Sequence, residues 1–138
     1  MKQLLLLLTI VAFLFVGCEK DSSSGNVTLK YEIVSTSAFI PVVISGVQLY
    51  PPITVTYANE TGQQQREEIN ATASTWSKTI QLTTTQRPIP IMFYVSGNTL
   101  NVPGTGVVRI YANGVLKASQ NVTISNGIFA GNIVYNLF

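Results

Sequence analysis

From Asn26 to Phe138, apolar and polar residues alternate at every second position in short runs between turn formers, and that periodicity is the signature of half-buried β-strands. Val27, Leu29, Tyr31 and Ile33 alternate with Thr28, Lys30 and Glu32; Ile53, Val55 and Tyr57 alternate with Thr54 and Thr56. The second run ends at Asn59-Glu60-Thr61-Gly62, a turn leading into Gln63 to Ile69, whose polarity predicts an edge strand or a solvated face. Trp76, Ile80 and Leu82 share one face, with Lys78 as the exception on that apolar side. Pro88 and Pro90 flank Ile89, so the run Ile91 to Val95 is expected to begin as an edge strand or after a bulge. Val108 and Ile110 lead to Asn113-Gly114, a type I′ hairpin signal, and Val115 to Val122 returns. Ile128 to Phe138 reads as a last strand, or a pair broken near Gly131. No stretch reads as a long amphipathic helix, and no repeat appears. The expectation is an all-β sandwich of about eight or nine short strands.

Ala38 to Pro52 is apolar around Gly46 and bounded by Pro41 and Pro51-Pro52. It reads as an extra hairpin packed on the sandwich, its apolar residues filling core as buried strands do. An exposed arrangement would instead put Phe39, Ile40, Val42, Val43, Ile44 and Tyr50 on the surface, a patch large enough to mark a partner site.

Before the strands, Met1 to Cys18 has the three parts of an export signal: Lys2, an apolar Leu4 to Val16 interrupted only by Thr9, and Gly17 before the cysteine. The apolar run is shorter than the roughly 20 residues a spanning helix needs. Phe15-Val16-Gly17-Cys18 resembles the lipobox of bacterial lipoproteins, in the relaxed form found in the Bacteroidetes group. The resemblance implies cleavage before Cys18, a diacylglycerol thioether on its sulfur and an acyl chain on its amine, which together anchor stably. Glu19-Lys20-Asp21-Ser22-Ser23-Ser24-Gly25 follows as a flexible tether. Glu19, Lys20 and Asp21 are similar to the surface-export signal of Bacteroidetes lipoproteins, and a solvated linker is the competing reading. The expected organisation is a signal peptide over 1–17, lipidated cysteine and tether over 18–25, and a sandwich domain over 26–138.

Catalytic chemistry finds little to work with. The chain has no histidine and one cysteine, which the signal uses, so triad hydrolysis, thiol catalysis and the usual zinc sites lose their groups. Beyond the tether there is no aspartate and only Glu32, Glu60, Glu67 and Glu68, too few carboxylates for a hard-cation site. Glu67 and Glu68 are adjacent and point to opposite faces of a strand, which disfavours a glycosidase pair and leaves them a role in solubility. Ser74, Ser77 and Lys78 lack the serine-to-lysine spacing of a helix-borne nucleophile, because Thr75 holds the required position. The expectation is no enzyme, no metal and no cofactor. Losing Lys2 with the signal leaves 7 basic against 6 acidic residues, a balance of +1 that gives no footprint for nucleic acid. Four Asn-X-Ser/Thr sequons, at Asn26, Asn59, Asn70 and Asn121, read as the polar surface of a β protein. The aromatics Tyr31, Tyr50, Tyr57, Trp76, Tyr94, Tyr111 and Tyr135 read mainly as core with outward polar tips.

Two stretches carry a family resemblance. Ile53 to Gln64 followed by Trp76-Ser77-Lys78-Thr79, and Val107 to Leu116 with its Asn113-Gly114 turn, resemble small Bacteroidetes envelope lipoproteins related to the mycobacterial MmpS-like family. Val115 stands where that family commonly has lysine, and Ala38 to Pro52 looks like an insertion. The resemblance implies an immunoglobulin-like β-sandwich without catalytic residues. It also implies an anchored accessory module of the cell envelope, at the outer membrane of a Gram-negative bacterium, with a protein partner. The alternative is a surface-displayed adhesin that binds glycan or a host protein. A small membrane barrel fits less well, because the polar run Gln63 to Asn70 lacks a lipid-facing band.

Overall fold

The computed structural model describes residues 26–84, 87–99 and 103–138. The expectations for Phe15, Val16, Gly17, Cys18, Glu19, Lys20 and Asp21 lie outside the described residues. Within them the chain is all-β, with ten strands and no helix. One sheet has β6 (Thr75–Leu82), β1 (Val27–Ser35), β8 (Gly104–Ala112) and β9 (Val115–Ile124) side by side in that order. The other has β10 (Ile128–Leu137), β7 (Ile89–Asn98), β4 (Ile53–Ala58) and β5 (Gln64–Ile69). The short strands β2 (Val42–Ile44) and β3 (Val47–Tyr50) pair only with each other. Every ladder is antiparallel. Hairpins join β2 to β3, β4 to β5 and β8 to β9; the other connections pass between sheets and close a β-sandwich over one core.

The alternation read from the sequence is the alternation of burial. Val27, Leu29, Tyr31 and Ile33 point inward from β1, and Ile53, Val55 and Tyr57 do so from β4. Tyr31 packs 5.3 Å from the Tyr57 ring and 5.2 Å from Phe93, and Trp76 stacks 5.9 Å from Phe93. The Tyr31 hydroxyl is inside the core, contrary to an outward tip, and donates to the Ala58 carbonyl at 2.9 Å, so this buried donor is satisfied. Burial pushes that hydroxyl's pKa up.

Three local expectations are corrected. Ile128 to Leu137 is one continuous strand, paired with β7 without a register shift. Gly131 does not break it; a Cβ there would lie 3.0 Å from Val108 and 3.2 Å from Val122, so the missing side chain lets β10 approach the facing sheet. The strand after Pro88 is central in its sheet, between β10 and β4, yet its β4 partner begins only at Phe93. Pro90 therefore sits on a stretch paired on one side alone, where a proline is tolerated as it is on an edge strand. Glu67, expected to serve solubility, faces the neighbouring sheet: it accepts the Tyr57 hydroxyl at 2.9 Å and the Lys78 ammonium at 3.4 Å. The inward-facing lysine thus finds its partner across the open side of the sandwich, over the Tyr57 ring. Glu68 points the other way, to Arg66.

Candidate functional site

Ala38 to Pro52 departs most from expectation. Only Phe39 of its large side chains is fully buried; Ile40 and Val42 are half-buried, and Val43, Ile44, Val47, Leu49 and Tyr50 are 51–62% exposed. The core-filling reading fails because the segment lies between the two sheets' strands in sequence but joins neither, and the faces it would cover are already matched to each other. It forms an exposed apolar hairpin.

Local chemistry explains the shape. Ser45 and Gly46 both take positive φ, 52° and 80°, as a type I′ turn requires. Pairing runs Ile44 to Val47 and Val43 to Gln48, with an irregularity before Val42 and Tyr50. Pairing then places Ile44 and Val47 on one face and Val43 and Gln48 on the other, and past the irregularity Tyr50 stands opposite Val42, so each face carries at least one exposed apolar side chain. Gln48 is the polar exception, and its amide donates to Asn70 Oδ1 at 3.0 Å.

The base of the hairpin is held firmly. Phe39 enters the core beside Phe129, edge to face at 5.3 Å. The space it occupies exists because residue 97 is glycine: a Cβ there would lie 2.5 Å from Phe39 Cδ1. Asn98, at the end of β7, then ties both legs. Its carbonyl accepts from Ile40 N at 2.7 Å, its own N–H donates to Pro52 O at 2.9 Å, and its side-chain amide donates to Pro51 O at 3.1 Å. Neither Gly97 nor Asn98 could be found by motif, since their role depends on which strand passes over them.

The hairpin lies at the pole where β1 ends, opposite the pole where Asn26 enters. The Asn113-Gly114 turn marks the entry pole, with Asn113 Oδ1 accepting from Thr28 N at 2.9 Å. The Asn59 turn lies there too; its side chain accepts from Thr61 N and Gln63 N, so this sequon asparagine works as a turn former. At the hairpin pole the ends of β1, β8 and β9 frame a shallow groove lined by Val34, Thr36, Thr105, Val107, Asn121 and Thr123.

On the outer face of the first sheet, Glu32 gathers Lys30 at 2.7 Å, Arg109 at 2.9 Å and the Tyr111 hydroxyl at 3.1 Å. The hydrogen bonds from Lys30 and then Arg109 hold its carboxyl well below the usual range, at about 2. A depressed folded-state pKa contributes stability above the ordinary value of 4.5, lost as pH falls toward 2. Discounted for a solvent-screened surface network, the Glu32 carboxylate contributes about 1–2 kcal/mol at neutral pH. Urea unfolding of Glu32→Gln should show that deficit at pH 7 and a gap that closes between those two pKa values. A gap independent of pH would assign the loss to packing instead.

Among the described residues no group of three His, Cys, Asp or Glu lies together as metal ligands, and no helix is long and apolar enough to cross a membrane. Of the aromatics expected in the core, Tyr50 and Tyr94 are exposed, Tyr94 on the outward face of β7 that alternates with Phe93 and Val95. No known family model matches this chain, and neither does any curated protein.

Proposed function

We propose that this chain is a non-catalytic, lipid-anchored protein of the Gram-negative cell envelope that acts by binding, and that the β2–β3 hairpin is its binding element. The observation that carries the reading is the hairpin itself: five large apolar side chains stand in water at its exposed end, on a base fixed by Phe39 and Asn98. Monomeric surfaces rarely keep such a patch without use for it. The signal ending in Phe15-Val16-Gly17-Cys18 supports the lipid anchor, and the absence of histidine supports a role without catalysis. The resemblance to MmpS-like envelope proteins supports an accessory role.

A photo-crosslinking residue at Leu49, introduced in the native host, tests the binding element. We expect a discrete adduct from Leu49 and none from Gln65 on the polar edge strand β5; a Leu49 probe that captures neither protein nor lipid overturns the reading. The anchor is tested separately by metabolic labelling with palmitate, which should mark the wild-type chain and leave Cys18→Ala unlabelled.

The adhesin reading has support of its own in Glu19-Lys20-Asp21 and in a hairpin at the pole away from Asn26. Protease treatment of intact cells separates the two: digestion of the domain favours display, and full protection removes it.

A further inference from the structure

We infer that the β2–β3 hairpin is an interfacial membrane contact, entering the headgroup and upper acyl region of a lipid bilayer with both faces. This rests on the binding role proposed for the same hairpin and names what it binds.

The shape of the apolar surface carries the argument. A protein surface laid against a two-stranded ribbon covers one face and leaves the other in water. Lipid surrounds a protruding element, and this one carries exposed apolar side chains on both faces: Ile44 and Val47 on one, Val43 beside Gln48 on the other, with Leu49 and Tyr50 at the irregularity below, all five apolar residues more than half exposed. Charge agrees. Between Glu32 and Glu60 the chain carries no Asp, Glu, Lys or Arg, so no ionised side chain from this stretch has to be desolvated as the hairpin enters. Tyr50 stands at the base beside Pro51, where an apolar ring with a polar tip suits the boundary between lipid and water.

Backbone chemistry sets the depth. The outer edges of β2 and β3 pair with nothing else, and hydrocarbon offers their N–H and C=O groups no partner. Entry therefore stops in the interface, about 5–10 Å deep, which a strand of four residues and about 13 Å can span.

The test uses the domain Asn26 to Phe138, which contains the buried core formed among the described residues, from Val27 to Leu137. It is sedimented with vesicles of phosphatidylcholine, and with vesicles that also contain phosphatidylglycerol, at low and high salt. We expect binding to both that survives salt, and roughly a tenfold or greater loss in Val47→Asp and in Leu49→Asp. Both side chains stand clear of the core, so the thermal transition should stay where it is. A domain left in the supernatant with both vesicles, or variants that bind like wild type, overturns the inference. So does binding confined to anionic vesicles and abolished by salt, which would belong to the domain's basic residues. If the vesicles fail while the Leu49 probe still captures a protein, the lipid assignment falls and the binding role stands.

Discussion

Replacing Phe39 with alanine is expected to lower the stability of the domain by about 3–5 kcal/mol, the cost of emptying a fully buried aromatic site. The side chain is completely buried, meets Phe129 edge to face, and lies over the bare backbone of Gly97. Its own N–H donates to Ala73 O at 2.9 Å, and its backbone bridges to Thr99, so the residue also joins the chain entering the hairpin to two other segments. The Gly97 backbone cannot move into the void without breaking its ladders to β10 and β4. Chemical denaturation measures the loss, and hydrogen exchange should show faster exchange at Ile40 N–H, which Asn98 otherwise holds. Phe39→Leu, which keeps most of the volume, should cost less than half as much. Leu49→Ala, a few residues away on the exposed hairpin, should cost no more than about 0.5 kcal/mol. Equal effects at positions 39 and 49 would mean that the hairpin is packed as a whole.

The second large effect is expected at Gly106. A Cβ there would overlap the Phe129 ring and lie 2.6 Å from the Val34 carbonyl oxygen. The ring has some freedom; the carbonyl belongs to the β1–β8 ladder, where Ser35 faces Gly106 and Val34 faces Val107. Relief requires the central strands of the first sheet to separate locally. Gly106→Ala should therefore destabilise by about 3 kcal/mol, at the upper end for overpacking. Gly106→Ala combined with Phe129→Leu distinguishes the two obstacles. If the smaller side chain restores most of the loss, the ring was the obstacle; if it restores little, the backbone was. The geometry favours the second outcome.

Much of this fold was legible because strands buried on one face record their burial at every second residue. β1, β4 and the β8–β9 hairpin could be placed from alternation and from Asn113-Gly114, and the polarity of Gln63 to Ile69 marked an edge strand, as β5 is. The misplaced features share a cause: each depends on a neighbour distant in sequence. Gly131 looked like a break because the reason for its missing side chain, Val108 and Val122, lies on the other sheet. Pro90 looked like an edge because nothing local shows that β4 arrives only at Phe93. The candidate site was the hardest part, since apolar residues read alike in a buried strand and in an exposed hairpin. One signal was present. Val42 to Ile44 is apolar without alternating and Val47 to Tyr50 has Gln48 as its one polar residue, between prolines, in a chain whose other strands mostly alternate. In a sandwich with both inner faces already supplied, such a segment has no core left to enter.

The position of β1 has a mechanical consequence. The strand that begins at Asn26 is the strand that leads, through Phe39, into the hairpin. A load applied between a tethered entry pole and a held hairpin runs along the covalent backbone of β1, already extended over its nine residues and flanked on both sides by β6 and β8. Little slack is available to be drawn out, and the pull acts lengthwise on two ladders whose hydrogen bonds resist together instead of parting one at a time. Tension between those two points is thus shared: one leg of the hairpin passes it along β1, while the other, continuous with β4 and tied to β7 by Asn98, passes it to the second sheet.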